Sequence, residues 1–348
     1  MSPASRATLS SVARRAGASL ATASKVLNAR PGVAPATRAR VRQAIDELGY
    51  SPSTPRADAP GQAVIRVTAI FRSLDATMYC AHILESLLQE AAARGVQVIV
   101  RLLDPPPAPD RQRMNRWARS LLGGGCQGAV FITSNLTREQ IEACERVGLP
   151  LASVDCDALA DAGVASISAD NFGGGQLAIR HLLGLGHRRI ALVIGRQNST
   201  FARERRRGMA AAFAEAGLEL DEELVVEAGF TPQDGLAAAR RLLSLDRPPT
   251  AIAANCDGCA LGVMAAASER GLAVPAELSV IGFDGTMHAA WSTPGLTTVV
   301  QPLDEIGRLT VQVILSLIRG EALAVRQLRL ATRLVEREST GPPRIESL

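Results

Sequence analysis

The 348-residue chain has 38 basic residues, yet only one of them, Lys25, is lysine. Aromatic residues make up 3% of the sequence, so alanine, leucine and valine must build the core that 47% apolar content allows. No run of about eighteen apolar residues occurs, which excludes an expected membrane-spanning helix. The N-terminus lacks the apolar stretch of a signal peptide, so a cytoplasmic location is expected. Six cysteines at irregular positions fit reduced thiols better than a disulfide framework. Cys256-Asp-Gly-Cys259 is a lone CxxC with no second pair and no nearby histidine, so zinc and redox readings lack support. Two small residues near a helix start account for it. The run Gly173-Gly174-Gly175 has neither the lysine of a P-loop nor GxGxxG spacing, and reads as a helix entry. No Ser/His/Asp, phosphate-loop or paired-metal arrangement is present, so neither an enzyme nor a cofactor or metal is expected. His181 and His187 do not read as a metal pair. His187 lies in a Gly-His-Arg-Arg turn before a strand, where structural hydrogen bonding is the expected role.

What the sequence does contain is concentrated at its N-terminus. Residues 8–50 read as two short amphipathic helices meeting at Gly17, followed by a third. Thr8 and Ser19 can cap the first two, because a short side-chain oxygen satisfies free backbone N–H groups there. Gly17 suits the left-handed turn between them. Val12, Ala13 and Ala16 form one apolar face, and Ala23, Val26 and Leu27 another. Pro35 fits a first helical position, with Val41, Ile45 and Leu48 at helical spacing behind it, and Gly49 ends that helix. This is the pattern of a helix-turn-helix, which sets its second helix in the DNA major groove. Residues 1–60 hold nine basic and three acidic residues, a net of +6, whereas the whole chain is only +4. Positive charge so concentrated suits phosphate contacts.

On these residues the head resembles that of the lactose-repressor (LacI/GalR) family of bacterial transcription regulators. The resemblance is carried by Thr8, Val12-Ala13, Ala16-Gly17, Ser19, Thr22, Ser24-Lys25-Val26-Leu27-Asn28, Thr37-Arg38, Val41 and Leu48-Gly49-Tyr50. It implies that Leu20, Ala21 and Lys25 face base edges. It implies that Thr8, Ser19, Thr22, Ser24, Asn28, Thr37 and Tyr50 position the phosphate backbone. Leu20 and Ala21 suit thymine methyls, and Lys25 suits guanine O6 and N7. Many relatives have arginine at the Lys25 position, and lysine lacks its bidentate fork.

From Val64 onward, short β-rich runs alternate with longer helical patterns. The nine expected strands begin at Val64–Phe71 and end at Ser279–Phe283. Among the eight expected helices are Ala81–Arg94 and Leu303–Arg319. Such alternation indicates βαβ units and parallel sheets, which bind ligands at the carboxyl ends of their strands. Two facing lobes would enclose a site between them.

Residues 64–340 resemble the body of the same family, which has the type I periplasmic-binding-protein fold. The motifs are Asp170-Asn171 with Gly173-Gly174, His181-Leu182, Gly186 to Ala191, Arg205 with Gly208, Asp257 with Ala260-Leu261-Gly262, Val280 to Asp284, Pro294 to Val299, and Leu334 to Ser339. The expected fold is therefore α/β: a three-helix head at 1–52, a Pro-rich linker at 53–63, a two-lobed α/β/α body at 64–340 and a tail at 341–348. The resemblance implies three crossings between lobes. The N-lobe would take about 64–163 and 291–322, and the C-lobe about 164–290 and 323–340. It also implies ligand-facing positions at Asp155, Arg205, Asp257 and Asp284, with Asp75 in the first strand-to-helix loop as a weaker candidate. Carboxylates accept from hydroxyls and arginine donates in a fixed fork, so the set suits a sugar. Helix capping and inter-lobe ion pairing are the competing structural roles, and Asp257 could simply cap its helix. Cys256 stands where some relatives have a polar residue.

The linker departs from the family. Relatives insert a hinge-helix leucine into the minor groove and bend the operator. Here Ala59 falls at that position and Pro60 would stop a helix. Arg56 is placed to reach a phosphate or a narrow minor groove. Weaker DNA bending is expected. The whole reads as a ligand-responsive regulator, a repressor of carbohydrate or related small-metabolite genes, acting as a homodimer on a pseudo-palindromic operator. The tail has no leucine heptads, which argues against a coiled-coil tetramer. A solute-binding protein of the same fold is the alternative, disfavoured by the basic head and the missing leader.

Overall fold

The computed structural model describes residues 9–27, 32–48, 64–71, 78–102, 110–134, 136–156 and 162–344. Two compact units form: the head, within Met1–Ala63, and the body, Val64–Leu122 with Cys126–Leu348.

In the head, α1 (Leu9–Arg15), α2 (Leu20–Leu27) and α3 (Pro35–Leu48) enclose a small core of Val12, Ala13, Ala16, Ala23, Val26, Val41 and Ala44. These are the positions that 3.6-residue spacing brings to one face of each helix. Gly17 adopts φ 58°, the left-handed conformation that the sharp turn after α1 requires. Ser19 caps α2: its Oγ accepts the Thr22 N–H at 3.1 Å.

The body contains two six-stranded sheets. The first is built from β1 (Arg66–Phe71), β2 (Gln97–Leu102), β3 (Gly128–Ile132), β4 (Leu151–Val154), β5 (Ala165–Ala169) and β11 (Gln327–Leu330), in the order β11-β5-β4-β3-β1-β2. All its pairings are parallel. On one face lie α4 (Met78–Ala93) and α12 (Leu303–Ile318), which bury Ile83, Leu87, Ile306 and Ile314. On the other lie α5 (Arg111–Leu121) and α6 (Arg138–Arg146), packed through Met114, Trp117, Leu121 and Ile141.

The second sheet is built from β6 (Ile190–Ile194), β7 (Val225–Glu227), β8 (Ala251–Ala254), β9 (Ser279–Asp284), β10 (Thr297–Val300) and β12 (Arg333–Val335), in the order β12-β10-β9-β8-β6-β7. Only β12 runs antiparallel. α7 (Asn171–Gly184) and α8 (Thr200–Glu215) cover one face, and α9 (Pro232–Leu242) and α10 (Asp257–Glu269) the other. A short α11 (Met287–Trp291) follows β9. Strands covered on both faces must be apolar throughout, and β3, β6 and β8 are buried along their whole lengths.

Three crossings join the lobes, but not where the family pattern put them. β5 pairs in parallel with β4 and β11, so the N-lobe keeps residues through Ala169, not 163. β10 pairs with β9, so the C-lobe extends past 290 to Val300. β11 returns to the first sheet, so the last crossing lies between Leu330 and Arg333, not at 322. In each case the strand stays with the ladder that satisfies its backbone groups. The linker 53–63 lies outside the described residues.

The triple-glycine run sits inside the first turns of α7, where Asp170 accepts the Gly173 N–H at 2.9 Å. Gly175 of the run, with Gly208 opposite, allows close helix packing. A Cβ on Gly175 would stand 2.3 Å from the Arg205 carbonyl oxygen, and one on Gly208 1.9 Å from that of Phe172. His187 is a buried pin, hydrogen-bonded to Thr250 Oγ1 (2.8 Å), Ser279 Oγ (3.0 Å) and the Gly341 carbonyl (2.9 Å).

Candidate functional site

The head presents one candidate surface. Ala23 and Val26 of α2 are buried, which turns Leu20, Ala21 and Lys25 outward. Leu20 is 54% exposed, although an apolar side chain of that size normally packs inside. Thr22 and Ser24 are half-buried beside them, and Ser19 is held at the helix start by its Oγ, 2.8 Å from Thr22 Oγ1. Thr37 is half-buried in the first turn of α3. Thr8, Asn28, Tyr50 and Arg56 lie outside the described residues.

The body presents the second. A cavity of about 460 Å³ lies between the lobes, at the carboxyl ends of the strands. The N-lobe contributes the first turns of α4, from Met78 to Leu84. The C-lobe contributes Phe230, Thr231 and Pro232 after β7, Gly258 and Leu261 of α10, Asp284 at the end of β9, and Thr286 and His288 after it.

Asp284 ends β9 with φ 107°, a backbone conformation that side chains other than glycine rarely adopt. Strain of this kind persists only where the surroundings enforce it, and it gathers at functional sites. Here Gln301 Nε2 donates to Asp284 Oδ1 at 2.7 Å, and Arg205 Nη2 stands 3.3 Å from the same oxygen. Burial pushes the Asp284 carboxyl up to about 7; Arg205 pulls it down, while Asp257 raises it further.

Arg205 does not line the cavity. Its Nε donates to Asn171 Oδ1 (2.8 Å) and its Nη1 to the Asn255 carbonyl. The guanidinium lies 3.7 Å from the Phe283 ring centre and 5.3 Å from that of Phe201. Its fork is occupied within the C-lobe, so it holds Asp284 in place.

Asp155 directly follows β4, with φ 52°, and accepts a short hydrogen bond from the Tyr79 hydroxyl. Burial, then the neighbouring Asp155, raises the Tyr79 pKa well above its usual value, so the phenol keeps its proton. Asp257 is turned toward its own lobe. It accepts from the Thr286 N–H (2.6 Å), Thr286 Oγ1 (2.9 Å) and Thr298 Oγ1. Burial raises it to about 6 against these hydrogen bonds. The cap of α10 is Cys256, whose Sγ accepts the Cys259 N–H at 3.3 Å. Both cysteines of the CxxC are buried at that helix start. Among the described residues no cluster of histidine, cysteine and carboxylate side chains could hold a metal ion.

Of the expected ligand-facing set, then, only Asp284 lines the cavity. Asp155, Arg205 and Asp257 stand behind its walls, and Asp75 lies outside the described residues. Sequence reasoning missed Tyr79, Phe230, Thr286 and His288. A lone aromatic or threonine after a strand breaks no periodicity, and only its place at a strand's carboxyl end could have flagged it.

Comparison with known proteins agrees with this architecture. Residues 8–53 match the bacterial regulatory proteins of the lacI family, and residues 179–340 match the periplasmic binding protein-like domain. The chain is 31% identical over 341 residues to the HTH-type transcriptional regulator DegA of Bacillus subtilis (strain 168), covering 97% of this chain and 99% of that one. It superposes on the complex of the transcriptional regulator CelR with cellobiose with a TM-score of 0.71 and 29% identity, covering 96% of this chain and all of that one. It superposes on the lac repressor dimer bound to operator and the anti-inducer ONPF with a TM-score of 0.70 and 26% identity, covering 97% and 100%. With a helix-turn-helix head and a two-lobed, periplasmic-binding-protein-like effector body, the chain belongs to the LacI family of DNA-binding transcriptional regulators, a family of regulators and not of enzymes.

Proposed function

We propose that this regulator is a cytoplasmic repressor of carbohydrate or related small-metabolite genes, and that it binds a pseudo-palindromic operator as a homodimer. Leu20, Ala21 and Lys25 read base edges, while Thr8, Ser19, Thr22, Ser24, Asn28, Thr37, Tyr50 and Arg56 position the phosphates. The observation that carries the reading of the head is the outward face of α2, where an exposed leucine and the only lysine stand together.

The effector enters the inter-lobe cavity and meets Asp284 first. Arg205, Asp155 and Asp257 fix the groups around it. Apolar walls with a carboxylate and hydroxyls between them suit a saccharide, whose rings have apolar faces and whose rims donate hydrogen bonds. The cellobiose bound by CelR favours the same class. The effector shifts lobe closure only through its different affinities for the two closures, and head spacing follows.

Salt dependence tests the DNA half of the proposal. If each head neutralises about four phosphates, the log–log slope of operator affinity against salt should be near −7. A slope close to zero would remove the phosphate contacts from the account.

A further inference from the structure

We infer that Gln301 is a positioning residue that carries the occupancy of Asp284 to the crossing between the lobes. The inference rests on the reading of the inter-lobe cavity as the effector site. Gln301 follows β10 of the C-lobe sheet directly, and Pro302 leads into α12, which packs on the N-lobe sheet through Leu303 and Ile306. The crossing at this point is therefore only two residues long.

Gln301 is tied to Asp284 twice. Its N–H donates to the Asp284 carbonyl at 3.1 Å and its Nε2 to Oδ1 at 2.7 Å. The next residue of the loop is pressed against the end of β10 just before the crossing, since a Cβ on Gly285 would stand 2.9 Å from the Val300 Cα. Asp284 thus has one carboxylate oxygen on the crossing while its side chain lines the cavity. The other two crossings are tied to each other instead: the Asp170 N–H donates to the Leu330 carbonyl at 2.7 Å, and Thr332 Oγ1 donates to the Asp170 carbonyl at 3.4 Å.

Gln301 is also enclosed. It is 3% exposed, and its Oε1 has no hydrogen-bond partner among the described residues. A ligand that draws the Asp284 carboxylate toward the cavity loosens the hold of Oδ1 on Nε2. The amide can then turn and the crossing can rotate. This supplies a two-state element that the effector biases through one intermediate side chain.

A double-mutant cycle in the full-length protein tests this without an identified effector. The variants are Gln301→Met, which keeps the side-chain length, Asp284→Asn and the pair. The readouts are fluorescence anisotropy on a duplex selected from a random pool by the wild-type protein, and the urea midpoint. Gln301→Met should shift operator affinity by about fivefold or more. Asp284→Asn should shift it too, and the pair should do no more than the larger single effect. A merely structural role would lower the urea midpoint and leave operator affinity unmoved, which would overturn the inference, as would effects of the two substitutions that multiply. If Asp284→Asn fails to fold, Gln301→Met alone decides by the same criterion. A wild-type protein that selects no duplex would sink the regulator reading and this inference with it, whereas normal selection with an unaltered Gln301→Met would sink this inference alone.

Discussion

Arg205→Ala should destabilise the body more at pH 8 than at pH 5. The guanidinium is buried, 3.3 Å from Asp284 Oδ1 and packed on the Phe283 ring. Removing it at pH 8 leaves a buried carboxylate without its cation, a change that typically costs about 3–5 kcal/mol. The sign of the pH effect follows from Asp284. Its folded pKa of about 7 lies above the unfolded value of about 3.9. Such a group contributes stability that is fully present below the unfolded value and is lost as pH rises through the folded one. In the wild type that loss runs from about pH 4 to about pH 7. Arg205 lowers the Asp284 pKa, so without it the folded value climbs and the window extends above pH 7. At pH 5 the carboxyl is largely protonated in both proteins, and the guanidinium has lost its charged partner. The penalty at pH 8 should therefore exceed that at pH 5 by up to about 1.4 kcal/mol for each pKa unit that the loss of Arg205 adds. Urea unfolding followed by circular dichroism at both pH values measures it. Equal penalties, or a larger one at pH 5, would refute the assignment of Arg205 as the partner of Asp284.

Two further substitutions probe other parts of the molecule. Lys25→Ala should weaken operator binding by roughly 1–3 kcal/mol and leave random duplex nearly unaffected; an equal loss on both, measured by anisotropy, would make Lys25 a phosphate contact instead. Gly262→Ala should lower the urea midpoint even though alanine favours a helix by about 1 kcal/mol. Its Cβ would meet the Pro232 carbonyl oxygen at 2.0 Å and the Leu236 nitrogen at 2.6 Å, so α9 must shift and overpacking of about 1–3 kcal/mol wins. A higher midpoint would show that the α9–α10 contact is looser than these distances.

Much of the fold is legible in the sequence because its signals are local. The outward face of α2 follows from burial of Ala23 and Val26, and the apolar runs of β3, β6 and β8 reflect sheets covered on both sides. The strands that sequence reading passes over are those with weak local signals. β11 is a half-exposed edge strand, Gln-Leu-Arg-Leu, paired only with β5. β12 is three residues long and antiparallel. β10, Thr-Thr-Val-Val, is only four residues long and follows Pro294 and Gly295 closely, so it carries little strand signal of its own. Missing these three also misplaces the lobe crossings, because β10, β11 and β12 define two of them.

The candidate site divides in the same way. Asp284 is recognisable because it ends a strongly apolar strand. That Arg205 packs on Phe283, and that Asp257 turns to Thr286 and Thr298, depends on contacts across about 30 to 80 positions of sequence. No spacing rule encodes these contacts. Two of the glycines of α7 likewise make sense only once their neighbours are in place: Gly174 lies against the Phe283 ring and Gly175 against α8.

The central claim is that one protein couples a ligand in the inter-lobe cavity to DNA held by the head. The most direct test is operator anisotropy with the full-length wild type and with Leu261→Trp, each titrated with a metabolite that stabilises the wild-type body in a thermal-shift screen. Leu261 lines the cavity, so tryptophan should fill it. The account predicts that the metabolite changes wild-type operator affinity, and that Leu261→Trp binds the operator normally but does not respond. A response that survives in Leu261→Trp, or a wild-type operator affinity that ignores the metabolite, would contradict it.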